Sequence, residues 1–196
     1  MKKLSSTLPN MVIVLTLTTV LAGFLLGLVN SVTEAPRQKV ANDKRISSLQ
    51  SVVAEFNNEP LAEAVKIEIA EGDSVVVYPT RIDGALTGAA IESVTHEGFS
   101  GDITLMVGFD LKGALIGYEV TKHAETPGLG SKMNEWFRGE GARNVIGLTP
   151  GTEGLKVTKD KGQVDAITAA TISSRAFLDA INRAANAWNI YLTNNN

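Results

Sequence analysis

The chain has 196 residues, a formal net charge of −3 and no cysteine. The slight negative charge argues against a nucleic acid partner, and the missing cysteines exclude disulfides, thiolate catalysis and cysteine-bound iron–sulfur clusters. The only histidines, His96 and His123, are far apart in sequence, which argues against a zinc site. No phosphate-binding loop, dinucleotide-binding, zinc-protease or nucleophile-elbow motif is present. We therefore predict no catalytic residue and no metal ligand.

A long apolar run near the N-terminus predicts a membrane anchor. Met11–Val29 reads "MVIVLTLTTVLAGFLLGLV", a length sufficient to cross the hydrocarbon core as a helix. A cleaved signal peptide and a buried core helix are the alternatives. The first has a shorter apolar region, and the second normally carries a polar stripe. We assign residues 1–10 to an N-terminal tail and residues 11–31 to a transmembrane helix.

The flanking charges leave the orientation of this anchor open. Lys2 and Lys3 precede it, and four basic residues follow it within residues 37–45. A count of positive charges thus favours a cytoplasmic C-terminal domain. Against that, the tail is short and cationic, and long domains cross the membrane largely regardless of their charge.

The remaining chain predicts a single α+β domain over residues 61–196, preceded by a juxtamembrane helix and linker over residues 32–60. The helix is expected over 34–58, with Pro36 in its first turn. A short helix over 131–139 and an amphipathic helix, Ser174–Leu192, follow a series of strands that pack into a mainly antiparallel sheet. The strands are expected at "VKIEIA", "SVVVYP", "AAIESVTH", "DITLMVGFD" and "ALIGYEVTKH", with "DLKG" as a hairpin turn.

The segment "HAETPGLGSKM", residues 123–133, carries one candidate site. Its Pro127–Gly128 pair forces a turn, and from the residues alone an ordinary turn is the simpler interpretation. The alternative is a platform for a flat aromatic ligand, made of Glu125, Thr126, Gly128, Leu129 and Gly130.

The segment "DAITAATISSRAF", residues 165–177, carries the second candidate site. If Ser173 or Ser174 is the N-cap of the last helix, Thr171 lies just before the helix start. Free backbone N–H groups there favour a phosphate, and the small Ala169–Ala170 pair leaves the approach open. Taken alone, a helix terminus with surplus capping hydroxyls is the simpler interpretation.

Together the two segments resemble the FMN-binding domain family. "DAITAAT" is similar to its D-x-x-[ST]-G-A-T flavinylation motif, in which FMN is joined through its phosphate to the final threonine, and "ETPGLG" is similar to the signature that borders the isoalloxazine ring. The resemblance implies that Thr171 carries covalent FMN, and that Asp165 and Thr168 are recognised by a magnesium-dependent flavin transferase that uses FAD. Ala169 replaces the family's glycine, and its methyl group is costly only where φ is positive. The residues expected to bind the flavin are Glu125, Thr126, Gly128, Leu129, Gly130, Thr168, Ala169, Ala170, Thr171 and Ser173.

Within the family, length and the single anchor resemble the G subunits of Rnf complexes, the ion-translocating ferredoxin:NAD oxidoreductases. The resemblance implies an electron-carrying subunit with little activity alone, whose partners are the other membrane and redox subunits. It also implies a C-terminal domain on the periplasmic side of the inner membrane and a cytoplasmic N-terminal tail over residues 1–10. The alternatives are the C subunit of a sodium-translocating NADH:quinone reductase, a membrane-tethered module that binds FMN non-covalently, and an assembly subunit with an unused pocket.

Overall fold

The structure, a computed structural model, describes residues 7–195, and of Ala35 the backbone only. The chain divides into two compact units between Arg45 and Ile46. Most of the predicted N-terminal tail, residues 1–6, lies outside the described residues. The predicted domain borders at residues 10, 31 and 60 stay predictions.

Helix α1 runs from Leu8 to Val52 without interruption. The structure thus differs from the separate helix expected over 34–58, because Pro36 lies inside α1 instead of in a first turn. A proline inside a helix removes one hydrogen bond, but no glycine or second proline lies between Val29 and Val52 to reinforce a break.

The N-terminal part of α1 is long and apolar enough to cross a membrane. Its apolar side chains are exposed along the whole run. The hydroxyls of Thr18, Thr19, Ser31 and Thr33 donate to backbone carbonyls three or four residues earlier in the same helix. These polar groups are therefore satisfied without water, as a hydrocarbon environment requires.

The second unit is built on a five-stranded antiparallel sheet whose strands pair in chain order. Its β-branched and apolar runs form strands close to the predicted positions, and the "DLKG" turn joins the fourth strand to the fifth. The predicted α+β class is confirmed. The strands are β1 (Val65–Ala70), β2 (Asp73–Ile82), β3 (Ala85–Thr95), β4 (Ile103–Asp110) and β5 (Leu115–Lys122).

Two helices follow the sheet. The short helix α2 (Met133–Trp136) lies beside β5, where the Val120 N–H donates to Asn134 Oδ1 at 2.9 Å. Helix α3 (Thr171–Asn195) packs across one face of the sheet and buries the apolar stripe expected from the sequence. It begins three residues before the predicted Ser174, because Thr171 and the residues after it already follow the helix path.

The main core lies between α3 and the sheet. Phe177 of α3 stacks on Phe137, with ring centroids 4.2 Å apart, and meets the Tyr118 ring edge-on. Burial raises the pKa of the Tyr118 hydroxyl above its ordinary range, and this hydroxyl donates to the Met133 carbonyl at 3.1 Å. The aromatic cluster thus fixes α3 against β5 and α2.

The opposite face of the sheet is covered by the end of α1. Leu49 and Val52 are buried there against Tyr78, Ala90 and Met106. Strand β4 is therefore buried on both sides, which explains its nearly continuous apolar sequence.

A pair of glycines makes room for this end of α1. Gly108 and Gly117 face each other across β4 and β5. A Cβ on Gly108 would lie 2.7 Å from the backbone carbon of Val52, and one on Gly117 would lie 2.6 Å from the Val52 carbonyl oxygen. The helix end can approach the sheet only because both side chains are missing.

We predict that Gly108→Ala lowers the free energy of unfolding of the second unit by about 2 kcal/mol, because the added methyl group collides with the Val52 backbone. Gly151→Ala is the matched control, since a Cβ there meets no atom within 4 Å. Urea unfolding of the detergent-solubilised full chain, followed by the fluorescence of Trp136 and Trp188, measures both variants. Equal losses in the two variants would contradict the proposed seat for Val52.

Candidate functional site

The site begins with a tight loop between β5 and α2. The Leu129 and Ser131 N–H groups both donate to the Thr126 carbonyl, at 3.2 and 3.3 Å. Gly128 adopts a φ of 77°, which explains a glycine after Pro127. Its N–H donates to Ser131 Oγ at 2.9 Å, so the loop is closed on itself.

Gly130 serves a different purpose in the same loop. A Cβ at this position would lie 2.7 Å from Glu125 Oε2 and closer still to Ser173 Oγ. The bare backbone therefore contacts the first turn of α3, where the sequence had suggested a ligand. This contact brings the two candidate segments, 123–133 and 165–177, side by side in the folded chain.

The buried carboxylate of Glu125 joins three segments of the chain. One oxygen accepts the Ser100 N–H at 2.9 Å, and the other accepts the Ser173 hydroxyl. Ser173 is buried as well. Because the two partners lie on the β3–β4 loop and on α3, this carboxylate fixes both elements against the 125–131 loop.

The serines at the start of α3 are not N-caps, which corrects the sequence prediction. Ser174 N–H donates to the Ala170 carbonyl at 3.0 Å, so both serines already lie within the first helical turn. Ser174 Oγ accepts the Ile167 N–H at 2.9 Å and donates to the Ala170 carbonyl at 2.9 Å. Both hydroxyls therefore hold neighbouring segments in place.

Ala169 lies in a strained turn directly before α3. The turn is closed by the Ala170 N–H, which donates to the Ile167 carbonyl at 3.0 Å. Ala169 is its third residue and has a φ of 61°. Turns with a left-handed third residue favour glycine there, so the alanine costs about 1 kcal/mol.

A cavity of about 320 Å³ lies between the 125–131 loop and the start of α3. Eight of the ten predicted flavin-binding residues line it, but Gly128 and Thr168 do not. Two apolar residues, Phe99 and Ile172, complete the lining, and no sequence motif indicates them. The lining consists of Phe99, Glu125, Thr126, Leu129, Gly130, Ala169, Ala170, Thr171, Ile172 and Ser173.

Three large apolar side chains make one part of the cavity apolar. They are Phe99, Leu129 and Ile172, here called the apolar wall. They are 65%, 39% and 50% exposed, although each is a large apolar group. The glycine and phenylalanine of "GFSGD" carried no pattern that could place Phe99 here. It reaches the cavity because Ser100 bonds to Glu125.

The Thr171 hydroxyl lies at one side of the cavity. Lys159 Nζ donates to Thr171 Oγ1 at 3.0 Å. Helix geometry offers the N–H groups of Thr171, Ile172 and Ser173, at the start of α3, no carbonyl partner within the helix. The site thus combines an apolar cavity with a positively polarised helix start and an ammonium group.

The two positions expected, besides Thr171, to be recognised by a transferase lie outside the cavity. Asp165 and Thr168 are both exposed. The backbone of Asp165 is held by its N–H, which donates to the Ala142 carbonyl at 2.7 Å, and by its carbonyl, which accepts from Trp136 Nε1 at 2.9 Å. Their side chains are accessible from solvent.

Known proteins resemble this chain over most of its length. The FMN-binding domain family matches residues 98–186. The G subunit of the ion-translocating oxidoreductase complex of Stutzerimonas stutzeri is 34% identical over 170 residues, 84% of this chain and 73% of that protein. The corresponding protein of Cereibacter sphaeroides is 30% identical over 177 residues, 87% of this chain and 80% of that protein.

The chain belongs to the family of G subunits of ion-translocating oxidoreductase complexes. The Escherichia coli K12 member of this family is also similar, with 34% identity over 143 residues. The matched FMN-binding domain contains the whole cavity lining.

The residues present fit an FMN group. The apolar wall suits the flat ring, and Gly130, Ala169 and Ala170 line the cavity with no side chain larger than a methyl group. Thr171, Lys159 and the helix start suit the phosphate.

We predict that Ala169→Gly raises the free energy of unfolding by about 1 kcal/mol, because glycine adopts a φ of 61° without strain. Ala170→Gly is the matched control. This neighbour has no positive φ, so glycine there should destabilise the protein by about 0.5–1 kcal/mol. Urea unfolding in detergent measures both variants. Stabilisation by both, or by neither, would contradict the strain assigned to Ala169.

Proposed function

We propose that this protein carries FMN as a phosphoester on Thr171 and relays electrons within a membrane-bound Rnf-type complex. The complex would couple electron transfer between ferredoxin and NAD to ion translocation. The bound flavin supplies the redox chemistry, and the protein supplies orientation and electrostatics. The relatives, which are G subunits of ion-translocating oxidoreductase complexes, favour this role over the C subunit of a sodium-translocating quinone reductase.

The position of Thr171 is the observation that carries the proposal. It is the first residue of α3, it lines the cavity, and it is partly exposed. The two residues before it in sequence, Ala169 and Ala170, also line the cavity and carry only methyl groups. A phosphate joined to its hydroxyl would meet the positive end of the helix dipole, while the ring lies against the apolar wall.

The surroundings of Thr171 support attachment by a separate enzyme. Among the described residues, the hydrogen-bond partner of its hydroxyl is the Lys159 ammonium, which donates and cannot accept a proton. An isolated threonine hydroxyl is a weak nucleophile. The exposed side chains of Asp165 and Thr168 remain available to a flavin transferase that uses FAD.

Once flavin is attached, the chain's own residues would position and shield it. Glu125 already accepts hydrogen bonds on both carboxylate oxygens, so we assign it to holding the site together and not to proton transfer. The apolar wall would shield one face of the ring from water. An electron relay needs no general acid or base. We expect the isolated subunit to have little activity.

The proposed partners are the other membrane and redox subunits of the complex, and α1 is the proposed anchor. Its exposed apolar surface and internally bonded hydroxyls support a place in the inner membrane. We place the FMN-binding domain on the periplasmic side, as the family resemblance implies.

We predict that Thr171→Ala abolishes covalent flavin. The full chain, produced together with the transferase, should be heavier than its polypeptide by FMN less one water, whereas the variant should show the polypeptide mass alone. Intact-mass analysis and in-gel flavin fluorescence after denaturation measure the difference.

Two control variants sharpen this experiment. Thr171→Ser keeps a hydroxyl at the site and should retain some flavin, whereas Thr158→Ala removes an exposed hydroxyl from a neighbouring turn and should retain all of it. Flavin that leaves the wild-type protein on denaturation would instead favour non-covalent binding. Wild-type protein without any flavin would favour an assembly subunit with an unused pocket.

We predict that a reporter fused after Asn196 lies in the periplasm. Alkaline phosphatase should be active there, because its disulfides form in that compartment, and a green fluorescent protein exported through the general secretory pathway should stay dark. The matched control fuses both reporters to a chain that lacks residues 1–33. A fluorescent full-length fusion would overturn the orientation.

A further inference from the structure

The side chain of Lys159 makes a contact that no sequence motif in this chain predicts. It lies in the 3-10 turn Thr158–Asp160, twelve residues before Thr171, and its Nζ donates to Thr171 Oγ1 at 3.0 Å. The hydroxyl that receives this hydrogen bond is the proposed attachment atom.

The turn that carries Lys159 is fixed against α3. Asp160 accepts from Arg175 Nε at 2.7 Å and from Arg175 Nη2 at 2.8 Å. At the base of the turn, Thr158 N–H donates to the Val164 carbonyl at 2.8 Å and Gly162 N–H donates to the Val157 carbonyl at 3.0 Å. The backbone of Lys159 is therefore held beside the first turn of the helix.

Two of the neighbouring cations, Arg175 and Lys156, pair with carboxylates. The bidentate hydrogen bond from Arg175 holds the pKa of the Asp160 carboxyl below its usual range, so these two charges neutralise each other. Lys156 pairs with Glu153 at 2.8 Å. Of the cationic side chains in residues 7–195, Lys159 is the one that donates a hydrogen bond to Thr171.

We propose that Lys159 is the positioning residue for the phosphoryl group on Thr171. This inference rests on the proposed covalent attachment. Before attachment, the ammonium donates to Oγ1 and turns the hydroxyl proton away from itself. After attachment, the non-bridging phosphate oxygens are two bonds from Oγ1, within reach of the same flexible ammonium. The phosphodiester carries a single negative charge, which one cationic side chain neutralises.

The attachment step balances with FAD as the flavin donor. Thr171 Oγ1 forms a bond to the phosphorus on the riboflavin side, and the phosphoanhydride bond of FAD breaks. AMP leaves with the electron pair of that bond, and a base of the transferase takes the hydroxyl proton. Lys159 exchanges no proton, and its charge opposes the negative charge that develops on the phosphoryl oxygens.

We predict that Lys159→Gln lowers the maximal rate of flavin attachment by roughly tenfold or more, the effect expected for losing a charge-assisted hydrogen bond. The detergent-solubilised full chain is incubated with the transferase, magnesium and FAD, and covalent flavin is followed by intact mass. Lys159→Arg should recover most of the rate. Lys156→Gln, the matched control from the same loop, should react like the wild type, and all variants should share one melting temperature.

Three outcomes would overturn the inference. They are an unchanged rate in Lys159→Gln, an equal loss in Lys156→Gln, and a change confined to the protein concentration that gives half the maximal rate. The last would assign Lys159 to contact with the transferase. Failure of the proposed function is distinguishable, because the wild type would then acquire no flavin on Thr171 at all.

Discussion

The buried carboxylate of Glu125 is the interaction on which the candidate site depends. It accepts the Ser173 hydroxyl from α3 and the Ser100 N–H from the β3–β4 loop. A buried carboxylate without such partners would be strongly destabilising, so the three segments must come together for the charge to be tolerated. Gly130 allows their close approach. The cavity is the space left beside this junction, and its position follows from satisfying one charge.

A second constraint operates on the other face of the sheet. Val52, the last residue of α1, lies against Gly108 and Gly117, so the sheet provides a surface shaped to receive this helix end. The core between α3 and the sheet is formed independently by aromatic packing. The cavity thus lies at the start of α3, within the α3 layer, while Val52 occupies the opposite face. Contacts at either place can be altered without directly touching the other.

The strands and the apolar stripe of α3 could be predicted because they depend on local periodicity, which the sequence displays directly. The start of α3 could not, because the serine hydroxyls that resemble caps bond instead to Glu125 and Ile167. Pro36 likewise suggested a helix start that the uninterrupted α1 does not have. That Thr171 lines the cavity could be predicted from its motif. Phe99 and Lys159 could not, since each reaches the site through contacts between segments distant in sequence.

Ala169 shows how the site can accept a departure from the family motif. Its left-handed φ costs about 1 kcal/mol, yet the turn is held on both sides by bonds that do not involve its side chain. Before Ala169, Ser174 Oγ accepts the Ile167 N–H, and the Ala142 carbonyl and Trp136 hold Asp165. After it, the Ala170 carbonyl accepts the Ser174 N–H. A conformation determined by so many neighbours persists when one residue disfavours it. The alanine therefore lowers the stability of the fold. The surrounding hydrogen bonds still determine where the Thr171 hydroxyl lies.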